Sequence, residues 1–315
     1  MIDFVLTPDF FFSILRITAP IIFATMTAVI CEKGGITNIG IEGTMMMSAL
    51  FGSLFAYYSG NWLVGIFVAI LTGIIVSAVM AFFAFNLKTN IILTGTAVNM
   101  IGSGGAIFLV RVITGITEGT QMTSTNGLIT SKLQVPTIDL PIIENIPIIG
   151  QVISGHSLLT YVAFIFVYLV WVVLYKTPLG LNIRSVGENP NAASSVGVSV
   201  IRMKYIIFML GGVLAGLGGA FMSMSYSMGF SIDMVAGRGF IALAAQAMGG
   251  GEPLGSMLSA LVFGTAQALA VKASALGVDS NLVSPIPYLV TIIGLVVFAL
   301  IARRRLRKPK KVETI

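Results

Sequence analysis

Long apolar segments alternate with short polar connections along almost the whole chain. An α-helix needs about 20 apolar residues to cross a bilayer, and several of these segments are shorter or are interrupted by glycine. We therefore expect an all-α polytopic membrane protein with about eight or nine transmembrane helices, some of them short or broken. The nine apolar segments lie near residues 10–31, 38–58, 62–86, 89–111, 157–175, 203–227, 236–250, 255–271 and 286–302.

The composition supports a membrane protein, because 56% of the 315 residues are hydrophobic and only 10% are charged. A soluble domain carries about 25% charged residues, so this chain has too little charge to cover a water-facing surface. The 35 glycines suit close packing between helices in lipid. A single cysteine and a single histidine argue against an internal disulfide and against a metal site built on Cys or His.

The sequence offers few groups for catalysis. It contains no G-x-x-x-x-G-K-[ST] loop, so the chain is not expected to hydrolyse ATP by itself. The lack of clustered Asp, Glu, His and Cys residues argues against a membrane-embedded enzyme. Glu42 is the only carboxylate well inside an apolar segment, whereas an ion-coupled secondary transporter often has more.

The positive charge is concentrated after the last apolar segment. Residues 303–315 hold seven basic residues and one acid, which matches the net charge of +6 of the whole chain. The positive-inside rule places this tail in the cytoplasm, where it fixes the orientation of the chain in the membrane and is not expected to bind nucleic acid. Residues 177–202, flanked by basic residues, then form a cytoplasmic loop, and residues 112–156 form an extracellular loop. Nine spans put the N-terminus outside, and eight would put it inside.

Two stretches of the chain echo one another weakly. Residues 40–52 precede the glycine-spaced segment 62–86, and residues 237–249 precede the similar segment 255–271. Broken segments at corresponding places in two halves are the best sequence indication of a translocation path near the middle of the membrane. We therefore expect two weakly repeated halves within one transmembrane domain, residues 1–315.

The polar connection over residues 177–202 is unusually long. Loops between helices of a bundle usually contain about 2 to 8 residues, so its length favours a docking element over an ordinary loop. Thr177-Pro-Leu-Gly180 is expected to end the preceding helix, and residues 184–198 are expected to form a short helix on the membrane surface. Within this stretch, Glu188-Asn-Pro190 is expected to form a turn and residues 191–196 to open a helix of small residues.

Three ordered motifs carry a resemblance to a known family. From Leu179 the chain reads L-G-x-x-I-R-x-V-G-E-N-P-x-A-A-x-x-x-G-V, and from Lys204 it reads K-x-x-x-F-x-x-G-G-x-L-A-G-L-G-G-A. Together with residues 35–46 and 237–255, these motifs resemble the permease subunits of bacterial ABC importers for ribose, related sugars, branched-chain amino acids and nucleosides. The form N-I-G-x-E-G-x-M, from Asn38, resembles the smaller permease of nucleoside importers.

The resemblance implies a machine with several subunits. Two permeases form the pore, and the partner of this chain is expected to be a different permease. Two cytoplasmic ATPases bind ATP and Mg²⁺, so no cofactor is expected in this chain, and an external lipoprotein delivers the substrate. Nucleosides are the expected substrate, a simple sugar such as ribose or a branched-chain amino acid is the alternative, and an ion-coupled secondary transporter is the distant alternative.

The same resemblance assigns the contact with the ATPase to the polar connection. Pro190 fixes the backbone where a helix begins, and Glu188 beside a helix N-terminus meets a favourable dipole. Glu188 could also serve as a simple helix cap. The residues expected to make the contact are Arg184, Gly187, Glu188, Asn189 and Pro190.

Four polar residues within the apolar segments are candidates for the substrate pathway: Asn38, Glu42, Asn99 and Gln246. Amide and carboxylate groups can pair with the hydroxyl groups of a ribose and with the donors and acceptors of a base. The alternative is a structural role, in which these side chains bond the backbone that a broken helix leaves free. Asn38 in particular could cap a helix.

Overall fold

The computed structural model describes residues 7–114, 133–139, 149–227, 229–276, 283 and 285–306. Most of the predicted extracellular loop 112–156 and residues 307–315 of the basic tail lie outside the described residues. Within them the chain is almost entirely helical, and two-residue strands β1 (Thr137–Ile138) and β2 (His156–Ser157) pair in antiparallel orientation.

The helices follow the apolar segments of the sequence. Short π-helical turns extend α3 (Phe82–Asn86), join α4 to α5 (Ile101–Gly105) and extend α10 (Met222–Tyr226). The helices are α1 (Pro8–Lys33), α2 (Ile41–Ser59), α3 (Trp62–Ala81), α4 (Ile91–Met100), α5 (Ala106–Thr114), α6 (Ile149–Ile153), α7 (Leu158–Lys176), α8 (Pro178–Glu188), α9 (Pro190–Ser195), α10 (Val200–Phe221), α11 (Arg238–Met248), α12 (Pro253–Ala275) and α13 (Ile286–Leu306).

Six helical rods in the described part of the chain are long and apolar enough to cross a membrane. Helix α11 has 11 residues. It is therefore about 16 Å long, about half of a hydrocarbon core about 30 Å thick. The all-α membrane architecture with short helices is confirmed, and the total of eight or nine spans stays a prediction.

Helix α1 is the centre of the bundle. Its most apolar stretch is 89% buried, and it packs against α7, α10, α11 and α12. The corresponding stretches of α3 and of the α4–α5 rod are only 28% and 17% buried. Because their exposed side chains are mostly large and apolar, these two rods suit contact with lipid or with another membrane subunit.

Glycines let the backbones of α3 and α10 touch. A Cβ atom added to Gly212 would lie 2.5 Å from the carbonyl oxygen of Gly73, and one added to Gly216 would lie 2.7 Å from that of Ala69. Such contacts between small residues replace the hydrophobic effect as the source of helix association in lipid. The expected use of glycine for close packing is therefore confirmed at this contact.

The two ends of the bundle carry different polar groups. Lys33 ends α1 and pairs with Glu252, the residue before α12, and Tyr175 of α7 and Arg184 of α8 lie beside them. We call this the Lys33 end. At the other end, Arg16 of α1 donates hydrogen bonds to two carbonyl groups, those of Ser225 and Tyr226, in the π-helical turn that extends α10. We call this the Arg16 end.

Candidate functional site

Two short helices, α8 and α9, form most of the connection that the sequence assigns to docking, and we call residues 178–195 the elbow. Helix α7 ends at Lys176, and Thr177 caps α8 by accepting a 3.2 Å hydrogen bond from the backbone N–H of Gly180. Pro178 takes the first position of α8, where a missing N–H group costs nothing. The predicted end of the preceding helix at Thr177 is therefore confirmed.

The elbow contains two helices, so the interpretation of residues 184–198 as a single helix is wrong, whereas the expected break at residues 188–190 is present. Asn189 has extended backbone angles (φ −151°, ψ 96°), because the residue before a proline is driven out of the helical region. Its Oδ1 accepts 3.1 Å hydrogen bonds from the backbone N–H groups of Asn191 and Ala192. Asn189 therefore ends α8 and caps α9, with Pro190 at the first position of α9.

The five residues assigned to the ATPase contact fall into two groups. Glu188, Asn189 and Pro190 are exposed at the corner between α8 and α9. Gly187 directly precedes them and Arg184 lies one turn earlier, and both are partly buried. The corner can therefore meet another protein while the preceding turn holds the elbow in place.

Close packing fixes α8 to the end of α1. A Cβ atom added to Gly187 would lie 2.9 Å from the backbone nitrogen of Gly35, and it would also collide with the carbonyl oxygen of Lys33. The guanidinium carbon of Arg184 lies 4.8 Å from the ring centroid of Tyr175. A cation over an aromatic face contributes about 0.5 to 2 kcal/mol. A displacement of α8 would therefore disturb α1 and α7 directly.

Glu252 is the centre of a polar network at the Lys33 end. It accepts a 2.6 Å hydrogen bond from Lys33, and the hydroxyl of Tyr175 lies 2.7 and 2.6 Å from its two carboxylate oxygens. Partial burial disfavours the charged carboxylate, but the bonds from Lys33 and Tyr175 outweigh it and hold the pKa of Glu252 below its usual value. Sequence patterns do not single out Tyr175 or Lys33 for this role, since the partners come from separate helices.

Gln246 lies at the Lys33 end and not beside Glu42. It lines a cavity of about 710 Å³ together with Glu188, Arg184 and Glu252. It stands in the last turn of α11, about 10 Å along that helix from the first turn, which Glu42 contacts. The four candidates for a substrate pathway therefore lie in two separate places.

The remaining three candidates meet where α2 begins. Asn38 is buried, and its Oδ1 accepts a 3.0 Å hydrogen bond from the backbone N–H of Gly40. Asn99 of α4 accepts a 2.8 Å bond from the N–H of Gly43 and donates a 3.0 Å bond to the carbonyl of Ile39. Both amides bond backbone groups that an interrupted helix leaves free.

Glu42 joins the start of α2 to the start of α11. Its two oxygens accept hydrogen bonds from the backbone N–H groups of Gly237 and Gly239, at 2.8 and 2.6 Å. The residue between these glycines, Arg238, is buried, and its guanidinium lies 5.4 Å from the ring of Tyr226. The two stretches that echo one another in the sequence therefore touch at their first turns, through a carboxylate at a helix N-terminus.

The Arg16 end holds a second cluster around Tyr226. Arg16 lies 5.3 Å from the ring centroid of Tyr226, so two guanidinium groups contact one aromatic ring. A cavity of about 480 Å³ opens beside it, between α1 and α12, and is lined by Asp9 and Lys272 among others. This end therefore combines cationic, acidic and aromatic groups around an open cavity.

The comparisons with known proteins agree with a membrane permease. Residues 10–301 match the family described as branched-chain amino acid transport system / permease component, and the chain belongs to this family. It is 34% identical over 298 residues to the nucleoside ABC transporter permease protein NupC of Lactococcus lactis subsp. cremoris (strain MG1363), over 91% of this chain and 90% of that protein.

Two further relatives have similar descriptions. The guanosine ABC transporter permease protein NupQ of Bacillus subtilis (strain 168) is 32% identical over 294 residues, covering 89% of this chain and 88% of that protein. The nucleoside ABC transporter permease protein NupB of the same Lactococcus strain is 25% identical over 271 residues, covering 80% and 70%. The resemblance predicted from the motifs is therefore confirmed, and this chain is a permease component and not an enzyme.

Proposed function

We propose that this chain is one of two transmembrane permease subunits of an ATP-driven ABC importer that takes up nucleosides. The substrate assignment rests on the similarity to NupC and NupQ, which are described as permeases for nucleosides and guanosine. Both similarities extend over about nine tenths of the chain, so they include the elbow as well as the start of α2 and α11.

In this proposal the Lys33 end is cytoplasmic. The basic residues Lys33, Lys176 and Arg184 lie there, and the basic tail follows the last long helix, as the positive-inside rule requires. The exposed corner of the elbow then faces the cytoplasm. Glu188, Asn189 and Pro190 would contact an ATPase subunit, which binds ATP and Mg²⁺ so that this chain needs no cofactor.

The second permease is proposed to be a different chain. Two distinct relatives, NupB and NupC, occur in one Lactococcus strain and are both described as nucleoside permeases. The poorly buried α4–α5 rod offers a large apolar face for a membrane partner or for lipid. The Arg16 end then faces outward, where an external lipoprotein would deliver the substrate.

The substrate path is proposed to run beside the contact between α2 and α11. Asn38, Glu42 and Asn99 hold the backbone of the two interrupted segments there, and Gln246 lines the inner mouth. Backbone that is not part of a continuous helix is tolerated within a membrane only where protein or a water-filled cavity covers it. The joint of α2 and α11 is therefore a suitable wall for a polar solute.

Uptake competition tests the substrate. Cells with and without this gene receive labelled uridine or guanosine, alone or with an excess of unlabelled nucleoside, ribose or leucine. We expect loss of nucleoside uptake without the gene, and competition only by nucleosides in its presence. Intact nucleoside uptake with lost ribose or leucine uptake would overturn the substrate and keep the ABC permease assignment.

A further inference from the structure

We infer that Tyr175 and Glu252 are positioning residues that transmit the motion of the elbow to α11, and through α11 to Glu42. This inference rests on the proposed function, because it takes the elbow as the element that the ATPase moves. Neither residue belongs to the elbow or to the start of α2. Tyr175 contacts the elbow directly, and Glu252 is connected to the start of α2 through α11.

The first link joins the elbow to Glu252. Arg184 of α8 lies over the ring of Tyr175, with 4.8 Å between the guanidinium carbon and the ring centroid. The hydroxyl of the same Tyr175 donates its hydrogen bond to the carboxylate of Glu252 and lies 2.7 and 2.6 Å from its two oxygens. Tyr175 therefore contacts the elbow with its ring and the α11–α12 turn with its hydroxyl.

The second link fixes this network to the central helix. Lys33, the last residue of α1, donates a 2.6 Å hydrogen bond to Glu252, and its backbone packs against Gly187 of α8. A shift of α8 therefore acts on Glu252 from two sides. A charged hydrogen bond contributes more than a neutral one, so this arrangement resists partial separation.

The third link is α11 itself. Glu252 follows a turn in which Gly250 and Gly251 both have positive φ, of 68° and 69°, a conformation that glycine adopts without strain. The turn connects Glu252 to the C-terminal end of α11, and Gly239 in the first turn of α11 is bonded to Glu42. An α-helix is stiff along its axis, so this helix of 11 residues connects the Lys33 end to the joint with α2.

The test is the number of ATP molecules hydrolysed per nucleoside transported by the purified importer, with its ATPases and second permease, in proteoliposomes. Tyr175→Phe removes one hydroxyl, and Glu252→Gln keeps the shape of the side chain while removing its charge. Each variant is expected to raise this ratio by about five- to tenfold, the size of an ordinary coupling between two sites. The double variant is expected to match the larger single effect, because both changes break the same contact.

Tyr168→Phe is the matched control. Tyr168 lies on the same helix, is exposed, and its hydroxyl makes no hydrogen bond within the described part of the chain, so the wild-type ratio is expected. A role in stability alone would lower the melting temperature or the yield of the complex and leave the ratio unchanged. That result, or effects that multiply in the double variant, would overturn the inference.

The variant Glu188→Lys distinguishes a failure of this inference from a failure of the proposed function. If this variant loses binding of the ATPase while Tyr175→Phe and Glu252→Gln keep the wild-type ratio, only the transmission path is overturned. If Glu188→Lys retains ATPase binding and uptake, the assignment of the elbow fails, and the inference fails with it.

Discussion

Glu42 on α2 accepts a 2.6 Å hydrogen bond at Oε2 from the backbone N–H of Gly239 on α11. Its other oxygen accepts a bond from Gly237. The first N–H groups of a helix have no partner within that helix, and a buried group left without a partner costs about 1 to 3 kcal/mol. Asn99 bonds the backbone at the start of α2 in the same way. Two side chains predicted to touch substrate, Glu42 and Asn99, therefore bond backbone groups at the starts of interrupted helices.

Replacing Glu42 by alanine is expected to destabilise the joint of α2 and α11. The variant leaves the N–H groups of Gly237 and Gly239 without an acceptor, at a cost of about 1 to 3 kcal/mol for each group. We expect a lower melting temperature in detergent and a lower yield of intact protein. Fluorescence-detected size-exclusion chromatography after stepwise heating measures both.

Two further variants make this test specific. Glu42→Gln keeps one good acceptor, so its melting temperature is expected to lie between those of the wild type and the alanine variant. Glu32→Ala removes an exposed carboxylate and is expected to change the stability by less than about 0.5 kcal/mol. Unchanged stability of Glu42→Ala together with weaker nucleoside binding would instead assign Glu42 to the substrate.

Replacing Gly212 by alanine is expected to separate α3 from α10. The new Cβ would lie 2.5 Å from the carbonyl oxygen of Gly73 and 2.8 Å from Oγ of Ser77, and the backbone atom cannot give way. Overpacking of this kind costs about 1 to 3 kcal/mol. Gly104→Ala is the control, because a Cβ there meets nothing within 4 Å. Equal melting temperatures for both variants would contradict the close contact.

The local features of the elbow could be predicted from the sequence, but its partners could not. Thr177 followed by Pro178 marks a helix start, and Asn189 followed by Pro190 marks a second one. The second signal predicts the turn at residues 188–190, and the error was to keep that turn within one helix over residues 184–198. Propensity and capping act over a few residues, and for this reason such boundaries are visible in a single sequence.

The contacts that define the sites depend on the tertiary fold. Tyr175 bonds Glu252, 77 residues later in the chain, and Glu42 bonds Gly239, 197 residues later. No periodicity in the sequence predicts such pairs. The weak echo between residues 40–52 and 237–249 indicated related segments, but not that a carboxylate of one would bond the other. Gln246 belongs to the second segment and yet lies at the Lys33 end, since a helix of 11 residues separates the two places.

Gly187→Val is expected to displace the elbow. Any Cβ at this position collides with the backbone of Lys33 and Gly35, so α8 has to move away from the end of α1. We expect normal insertion into the membrane but uptake reduced at least about tenfold, since a shift that costs more than about 1.4 kcal/mol changes an equilibrium tenfold. Gly104→Ala is again the control, because a Cβ atom there meets nothing within 4 Å. Gly197→Ala is not suitable, because Gly197 has a positive φ that would strain any other residue. Full uptake by the valine variant would show that the position of α8 is not critical.

Reversing the charge at the corner of the elbow is expected to act on binding and not on folding. Glu188 is exposed, so Glu188→Lys should change the free energy of unfolding by no more than about 0.5 kcal/mol and leave the melting temperature nearly unchanged. Co-purification of the ATPase is expected to fall, together with uptake. Asn189→Ala should differ, because loss of a helix cap costs about 0.5 to 2 kcal/mol and loosens α9 as well. Retained co-purification and uptake in Glu188→Lys would overturn the assignment of the elbow to the ATPase contact.

His156 is expected to make the stability of the Arg16 end depend on pH. Burial lowers the pKa of its imidazole, and the positive charge of Arg16 lowers it further, against a bond to the carbonyl of Val152. The folded protein therefore favours the neutral ring, which stacks on Phe12 with centroids 3.9 Å apart. A histidine with a lowered folded pKa binds its proton more readily when unfolded, so stability falls with falling pH.

The stabilising contribution of His156 is complete above the pKa of the unfolded state, about 6.5. It is lost as the pH falls through that value toward the lower pKa of the folded state. Over this window the free energy of unfolding changes by at most about 1.4 kcal/mol per pH unit. His156→Phe keeps the stacking on Phe12 and removes the titration. Melting temperatures measured at about pH 7.5 and about pH 5.5 should therefore fall more in the wild type than in this variant. Other groups titrate equally in both proteins, so the difference between the two shifts isolates His156. Equal shifts would mean that the ring is solvated enough to titrate alike in the folded and unfolded states.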